Sequence, residues 1–159
     1  MNFRIGFGYD VHRLEEGYVF TLGGIKVEHS KGSVGHSDGD TLIHAICDAM
    51  LGAACLRDIG FHFPDTSADF KGIDSKIILK RTLEIIREAG YIIGNIDTTV
   101  CLQSPKIKDL IPLMQETLAK VLEIEANQLS VKATTTEKLG FVGKEEGVAV
   151  YAVAMLYKA

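Results

Sequence analysis

The feature that most constrains this chain is the interleaving of strand-like and helix-like segments with no linker between them. Strands are predicted at residues 3–7, 19–22, 25–27, 92–102, 129–136 and 148–156. Helices are predicted at residues 41–56 and 73–89, and from beyond Pro105 to about residue 122 with an interruption at Pro112. Such interleaving indicates a layered α/β or α+β domain, and 159 residues suit one unit.

The connections between these segments carry their own signals. The pair Gly23-Gly24 lies between two short strand patterns and predicts a two-residue hairpin. Asp38 or Asp40 is expected to cap the helix that starts at residue 41. The other connections are predicted at residues 8–12, 31–40 and 57–72. The last of these is long for a small domain, and long loops are often functional.

The composition excludes several classes of protein. Hydrophobic residues make up 47% and charged residues 24%, values typical of a globular domain and not of a disordered chain. The net charge of −4 and the pI of about 5.7 argue against a general nucleic-acid-binding role. The longest apolar stretch, residues 148–157, has about half the length of a membrane-spanning helix. No signal-peptide pattern is visible at the N-terminus.

The cysteines bear on the cellular compartment. Three are present without CxxC spacing, which predicts reduced thiols in a cytoplasm-like compartment, and we expect a cytoplasmic location. Cys47 and Cys55 lie in a run rich in Ala, Leu and Ile, so we expect both thiols to be buried.

Acidic residues and histidines recur at related positions in the first third of the chain. Asp10 and His12 are two residues apart on an extended segment, so their side chains point to the same side. Asp40, His44 and Asp48 are four residues apart, which places a polar stripe on an otherwise apolar helix. Such a stripe must be solvated, paired or metal-bound, because its burial without partners is costly.

Asp10, His12 and His44 together form a ligand set that suits zinc with an open fourth position. The alternative is that they are ordinary surface and cap residues, since DxH and DxxxH spacings also occur by accident. In a third interpretation, Asp38 or Asp40 supports a metal ligand by accepting its hydrogen bond without touching the metal.

Other segments contain groups suited to phosphates or a sugar. Residues 132–138 read KATTTEK, whose hydroxyls and lysines suit phosphates while Glu137 suits a hard cation. The alternative for this segment is a Thr-rich edge strand with a Thr/Glu cap. Residues 58–66 form either a lid that carries carboxylates toward a polyol or a solvated loop. Residues 104–106 form a turn that can present backbone groups to a base.

Together these segments resemble one family, the 2-C-methyl-D-erythritol 2,4-cyclodiphosphate synthases. The most specific strings are HSDGDxxxH at residues 36–44 and KATTTEKLGF at residues 132–141. P-loop, GxGxxG and nucleophile-elbow motifs are absent, which disfavours nucleotide triphosphatases, Rossmann enzymes and α/β-hydrolases. Shorter matches occur in family order, namely RIGFGYDVH at 4–12, DIG at 58–60, FPDT at 63–66, KG at 71–72, GNID at 94–97 and PK at 105–106.

The resemblance implies a fold class, a reaction and an assembly. The implied fold is α+β, a single-domain two-layer sandwich over residues 1–159 with helices packed on one face of a mixed β-sheet. The implied enzyme is a phosphorus-oxygen lyase of the non-mevalonate isoprenoid pathway. In its substrate, 4-diphosphocytidyl-2-C-methyl-D-erythritol 2-phosphate, the 2-phosphate attacks the β-phosphate and CMP leaves. The implied partners are this cytidine diphosphate-linked molecule and two further copies of the chain, with active sites between subunits and with neither nucleic acid nor membrane.

The resemblance also implies roles for individual residues. Asp10, His12 and His44 would hold Zn²⁺ or a similar ion, and Glu137 would help to hold Mg²⁺ or Mn²⁺ at the diphosphate, which makes these the expected catalytic residues. The 2-phosphate would contact His36 and Ser37. The erythritol would be surrounded by Asp48, Asp58, Ile59, Gly60 and Asp65. The cytidine and its phosphates would be lined by Leu102, Pro105, Lys106, Ile107, Ala133, Thr134 and Thr135.

The sequence departs from the commonest family pattern at two positions. Lys144 stands where Arg is frequent, close to Phe141 and Glu146 in a region that faces a central cavity of the trimer and can bind an isoprenoid diphosphate. Lys is a poorer bidentate phosphate ligand than Arg, so this departure weakens the expectation for that ligand and leaves the active-site motifs intact. Ser67 stands where a further carboxylate is frequent.

Two other functions would use the same residues. A metal-dependent hydrolase would use them to activate water and would give a linear product instead of a cyclic one. A trimeric binding protein would hold its ligand without turnover. That last interpretation would gain support if any of Asp10, His12, His44 or Glu137 were missing, and all are present.

Overall fold

A mixed β-sheet forms the centre of the protein. The coordinates are a computed structural model that describes residues 2–66 and 68–159, so Met1, Ser67 and the side chain of Asp69 lie outside the described part. The strands are β1 (Phe3–Glu16), β2 (Phe20–Leu22), β3 (Ile25–Val27), β4 (Lys31–Val34), β5 (Tyr91–Cys101), β6 (Leu129–Thr134) and β7 (Gly147–Lys158). Five of them form the sheet in the order β4–β1–β7–β5–β6, and β2 and β3 form a separate hairpin. Among the described strands, only β5 and β6 are parallel neighbours.

Helices pack on one face of this sheet. They are α1 (Thr41–Ala53), α2 (Ile59–His62), α3 (Ser75–Glu88), α4 (Ile111–Leu122) and α5 (Gly140–Gly143). Single 3₁₀ turns occur at Ala68–Phe70, Lys108–Leu110 and Ala126–Gln128. α1 packs against β1 and β7, α3 against α1, and α4 against α3 and β6. Within the described residues, every helix is too short or too polar to cross a membrane. The predicted α+β class with a mixed sheet is confirmed.

Two glycines of β1 let α1 approach the sheet closely. A Cβ atom at Gly6 would lie 2.0 Å from the backbone oxygen of Ala49, and one at Gly8 would lie 2.0 Å from that of Ala45. These distances exclude any side chain, so the helix rests directly on the backbone of β1. The contact thereby fixes the separation between side chains that follow along β1 and side chains that project from α1.

The other face of the sheet carries large exposed apolar side chains. Ile5 and Phe7 on β1 are each 63% exposed, and Tyr9 and Tyr151 lie opposite each other in the β1–β7 register with ring centroids 5.1 Å apart. Val153 continues the patch on β7. A contiguous apolar surface of this kind is typical of an interaction face.

Asp40 anchors the N-terminus of α1. Its carboxylate accepts the backbone N–H of Ile43 at 3.1 Å, which is the N-cap bond, and also those of Gly23 at 2.9 Å and Gly24 at 2.6 Å in the β2–β3 turn. Asp40 is fully buried, and burial raises the pKa of its carboxyl despite these donors. The predicted N-cap of α1 and the predicted β2–β3 hairpin are therefore confirmed, and the Asp40 side chain links the two through its hydrogen bonds.

Several local predictions are wrong. Residues 8–12 belong to β1 instead of a loop, because residues 9–13 pair with residues 147–151 of β7. Residues 31–34 form β4, which pairs with the far end of β1. Pro112 lies in the first turn of α4, where a missing N–H costs little, so the helix begins there instead of being interrupted.

The cysteines differ in exposure, and all three have free thiols. Cys47 is buried in α1 as expected, and burial raises the pKa of its thiol to about 12. Cys55 is exposed, contrary to the expectation. It follows α1 in a left-handed conformation with φ of 61°, and the chain turns its side chain away from the core there.

Candidate metal centre and substrate cleft

Asp10, His12 and His44 meet on the helix-covered side of the sheet. Asp10 and His12 follow Gly6 and Gly8 on the same face of β1, and His44 lies one turn into α1. Asp10 Oδ2 lies 2.9 Å from His12 Nδ1 and 3.2 Å from His44 Nδ1. Each residue offers one ligand atom within 4.8 Å of the others, as the sequence predicts.

These residues fit a metal ion. His12 Nδ1 is buried and makes no hydrogen bond of acceptable geometry, although Asp10 Oδ2 is close. Coordination would satisfy that nitrogen, since a neutral imidazole offers a lone pair to a cation. Ligand atoms of a tetrahedral zinc site lie about 3.3–3.5 Å apart for metal–ligand distances of about 2.0–2.2 Å, close to the separations found here. The donor set of two imidazoles and one carboxylate suits zinc or a similar divalent ion.

The electrostatics of the cluster favour positive charge. Burial alone would raise the pKa of Asp10, but the adjacent His12 and His44 rings outweigh it and lower that pKa. Burial alone would lower the pKa of His44, but Asp10, and at longer range Asp40 and Asp38, raise it. The site therefore holds an ionised carboxylate and attracts a cation to its imidazoles.

The second nitrogen of His44 faces two hydroxyl groups. His44 Nε2 lies 3.0 Å from Ser75 Oγ and 3.1 Å from Ser37 Oγ. Ser75 is the first residue of α3, and its hydroxyl donates to Asp38 Oδ1 at 2.5 Å. Ser75 is not predicted from the sequence, where its one signal is its position after Asp74 at the start of a predicted helix.

A cleft of about 300 Å³ opens beside the three ligands. It brings together several residues that the resemblance assigns to the 2-phosphate and the erythritol. Among the residues that line it are Asp10, His12, His36, Ser37, His44, Ile59, Gly60 and Asp65. Phe63, Phe70 and Ile78 add an apolar wall.

Asp48 and Asp58 hold the segment that forms one wall of this cleft. Asp48 accepts the backbone N–H of Ile59 at 2.7 Å, and Asp58 caps α2 through the N–H of Phe61 at 2.9 Å. Burial raises the pKa of Asp48, with further contributions from Asp10 and Asp58. Both carboxylates thereby hold the backbone of the 58–62 segment, from which Ile59 and Gly60 line the cleft.

A second depression of about 150 Å³ lies at the ends of β5 and β6. It gathers all the residues that the resemblance assigns to the cytidine, namely Leu102, Pro105, Lys106, Ile107, Ala133, Thr134 and Thr135. Gln103 also lines it, and its side-chain oxygen accepts the backbone N–H of Lys138 at 3.2 Å. Gln103 thereby links the turn after β5 to the turn after β6, a role that the sequence analysis missed.

Glu137 belongs to neither lining. It is exposed and adopts a left-handed conformation with φ of 52°, and its carboxylate accepts the hydroxyl of Thr135 at 3.1 Å. The structure does not bring it to Asp10, His12 and His44 within one chain. The cleft and the depression share no lining residue. Phe141 and Lys144, in and after α5, line neither of them.

A family profile and named relatives all match this chain over nearly its whole length. The profile of the YgbB family matches residues 3–157. A protein of Bacteroides thetaiotaomicron named 2-C-methyl-D-erythritol 2,4-cyclodiphosphate synthase is 60% identical over 158 residues, which cover 99% of both chains. The protein of the same name from Phocaeicola vulgatus is 57% identical over 159 residues, 100% of this chain and 99% of that one.

Solved structures show the same fold. The bifunctional IspDF from Campylobacter jejuni superposes with a TM-score of 0.95 at 43% identity, covering 99% of this chain and 42% of that longer one. A CDP complex of IspF from Plasmodium falciparum superposes with a TM-score of 0.86 at 36% identity, covering 99% of this chain and 97% of the other.

Proposed function

This chain belongs to the YgbB family, and we propose that its cleft performs the reaction for which its curated relatives are named. The chain is an enzyme that converts 4-diphosphocytidyl-2-C-methyl-D-erythritol 2-phosphate to 2-C-methyl-D-erythritol 2,4-cyclodiphosphate and releases CMP in isoprenoid biosynthesis. The observation that carries this function is the Asp10–His12–His44 cluster at the cleft of a chain 60% identical to a named synthase. In reaction class it is a phosphorus-oxygen lyase of the non-mevalonate pathway with a cytoplasmic location.

The reaction needs positioning more than it needs reactive side chains. An oxygen of the 2-phosphate forms a bond to the β-phosphorus, the bond from that phosphorus to the bridging oxygen breaks, and CMP leaves with that oxygen. The nucleophile belongs to the substrate, so the protein must hold both phosphates at reacting distance. His36 and Ser37, which line the cleft next to the metal ligands, bind the 2-phosphate in this proposal.

Asp10, His12 and His44 hold a divalent ion of the zinc type. When bound, that ion supplies Lewis-acid neutralisation of the β-phosphate charge. The three side chains are held in position because they project from β1 and α1, whose backbones are in direct contact. Glu137 contributes to a second site for Mg²⁺ or Mn²⁺, which typically bind through one or two carboxylates together with substrate phosphates. Glu137 is exposed and supplies one such carboxylate, while the substrate phosphates would supply the other ligands.

The wall of the cleft forms the pocket for the erythritol. Ile59 and Gly60 line it through a segment whose first N–H is already held by Asp48. Asp65 stands at its exposed rim, where it can accept a sugar hydroxyl. In this proposal Asp48 and Asp58 lie beside the erythritol and also fix that wall by accepting the N–H groups of Ile59 and Phe61.

The cytidine end of the substrate binds at the depression between β5 and β6, and this half-site comes from a neighbouring chain. One solved relative is a CDP complex, which supports a cytidine diphosphate substrate. The two half-sites are separate in one chain, and the sheet face with Phe7 and Tyr151 is exposed and apolar. Both observations support a homotrimer whose active sites lie between subunits.

Phe141 and Lys144 fall outside both half-sites. In the proposed trimer they face the central cavity, where Lys144 offers an isoprenoid diphosphate a single point charge instead of the planar fork of an arginine. We therefore propose weaker binding of that ligand than in relatives with Arg, independent of catalysis.

One experiment separates cyclisation from hydrolysis. Metal-stripped protein is reloaded with Zn²⁺ and Mg²⁺, CMP release is followed, and the products are resolved by phosphorus NMR. We expect a cyclic diphosphate, with CMP release lost in the stripped protein and in H44A, but retained in H29Q. His29 is a matched control because it packs against Phe20 and does not line the cleft. A linear product would instead establish a hydrolase, and bound substrate without turnover would establish a binding protein.

A further inference from the structure

We propose that Ser75 and Asp38 are positioning residues that fix His44 as a metal ligand. The inference rests on the proposed function, since it concerns how the metal site of that reaction is held. It starts from a chain of contacts in which His44 Nε2 lies 3.0 Å from Ser75 Oγ, and Ser75 Oγ lies 2.5 Å from Asp38 Oδ1.

The carboxylate at the end of this chain of contacts favours one direction for its hydrogen bonds. The carboxylate of Asp38 only accepts, so the proton between it and Ser75 belongs to the Ser75 hydroxyl. The remaining lone pairs of that hydroxyl then accept the Nε2–H of His44. In the neutral ring, Nδ1, which lies 3.2 Å from Asp10 Oδ2, then carries the lone pair that a metal ion on the side of the cluster would bind. Metal-ligating histidines are usually held in this way, by donating the other ring N–H to an oriented acceptor.

The backbone fixes the acceptor in place. Ser75 is fully buried, and Asp38 holds it twice, because Asp38 Oδ2 also accepts the Ser75 N–H at 3.1 Å. The Asp38 N–H donates to the carbonyl of Ile73 at 3.1 Å, and that of Gly72 donates to the carbonyl of His36 at 2.7 Å. The loop before α1 is therefore tied to the start of α3, and His44 is oriented from a helix that carries none of the metal ligands.

Ser37 cannot replace this partner during turnover. Its hydroxyl is 3.1 Å from His44 Nε2, but it also lines the cleft, where the proposed reaction uses it for the 2-phosphate. Ser75 does not line the cleft, so its bond to His44 does not compete with substrate. The two hydroxyls are 3.4 Å apart, which lets Ser37 turn toward a phosphate while Ser75 keeps the ring oriented.

The test measures metal affinity, which does not depend on activity. The whole protein and its S75A, D38N and D74N variants are titrated with Zn²⁺ against a chromogenic chelator, and the absorption spectrum of Co²⁺ bound in place of Zn²⁺ is recorded. Asp74 is the matched control, because its carboxylate caps the same helix through the Lys76 N–H at 2.8 Å and does not contact His44. Thermal unfolding of each variant checks that it is folded.

We expect S75A to bind Zn²⁺ about 10- to 100-fold more weakly, with an altered Co²⁺ spectrum, and D38N to show a smaller loss in the same direction. D74N should stay within about twofold of the wild type. A folded S75A with wild-type affinity would overturn the inference while leaving the proposed function intact. If S75A does not fold, equal affinities of D38N and D74N would overturn it. Wild-type protein that binds no Zn²⁺ would instead overturn the proposed metal site itself, and this inference with it.

Discussion

The two halves of the proposed active site are built in opposite ways. Asp10, His12 and His44 come from a strand and a helix in direct backbone contact, and their side chains are largely buried. Glu137 and Lys106 come from turns, and both are exposed. The three possible metal ligands of the first half lie together in one chain, whereas the second half is a surface depression of about 150 Å³ beside an exposed carboxylate.

This difference indicates what each half needs from its surroundings. The metal cluster is held by packing, so it should form in the isolated chain and fail when the packing fails. The turns after β5 and β6 are held by a few hydrogen bonds, so they should depend on those bonds and on a neighbouring subunit. Variants of the two halves should therefore differ in their effects on Zn²⁺ binding, CMP release and stability.

The largest effect is expected for G8A. A Cβ at this position would lie 2.0 Å from the Ala45 backbone oxygen and 2.7 Å from the Ala49 nitrogen, so α1 must move away from β1. We expect a loss of about 3 kcal/mol or more in the free energy of unfolding, together with loss of Zn²⁺ binding. Urea unfolding and a Zn²⁺ titration measure both.

G52A provides the matched control for this glycine. Gly52 lies in α1 itself, and the nearest atom to its added Cβ is the Phe7 oxygen at 3.9 Å. Alanine favours a helix over glycine by up to about 1 kcal/mol, so this variant should be as stable as the wild type or more so. Equal destabilisation by G8A and G52A would contradict the role assigned to the close approach of α1.

E137Q should reduce CMP release without changing Zn²⁺ binding. The substitution keeps the shape of the side chain but removes its charge, and the group lies outside the first cluster. We expect CMP release to fall by about 100-fold or more, because charge stabilisation at the leaving group is lost. Zn²⁺ affinity should stay within about twofold of the wild type. A parallel loss of Zn²⁺ binding would show that the halves are not independent.

Q103A should have a smaller effect on the same half. It removes the acceptor of the Lys138 N–H and loosens the turn that carries Glu137. The loss of one hydrogen bond, about 1 kcal/mol, should lower kcat/KM about fivefold with unchanged Zn²⁺ affinity. Q115A is the control, because Gln115 makes an equivalent side-chain bond, to the Leu129 carbonyl at 2.7 Å, away from this turn. An equal loss in Q115A would indicate a general effect on stability.

The smallest effect concerns the strands that lead to the exposed half. Partial burial would raise the pKa of Asp97, but Lys132, whose Nζ lies 2.7 Å away, outweighs it and lowers that pKa. A lowered pKa in the folded state stabilises the protein above the unfolded value of 3.8, and this contribution disappears as the pH falls through the folded pKa. Both side chains are exposed, so D97N should cost below about 1 kcal/mol at pH 7 and less than that near pH 2. Urea unfolding at the two pH values tests this, and an undiminished cost at pH 2 would contradict it.

The sequence predicts the metal ligands of the first half better than the residues that hold those ligands in position. The DxxxH spacing is local, so helix periodicity places His44 correctly on α1. The DxH spacing puts Asp10 and His12 on one side of an extended segment, although that segment was predicted to be a connection and is part of β1. Ser75 was missed because it is 31 residues from His44, and only the packing of α3 on α1 brings them together. The length of β1 was missed for a similar reason, since Gly6 and Gly8 weaken its strand pattern and the pairing with β7 compensates. The separation of Glu137 from the metal cluster also requires the three-dimensional structure.

Mixing two inactive variants tests the split site most directly. H44A damages the metal half and E137Q damages the other half, so the proposed trimer, when it contains both variants, would have some sites in which each half comes from an undamaged chain. Random assembly of equal amounts makes about one quarter of the sites intact. We predict that the co-expressed pair regains about a quarter of the wild-type CMP release, while the control pair of H44A with D10A regains none. Isolated mixed trimers of H44A and E137Q with no more activity than either variant alone would contradict the account.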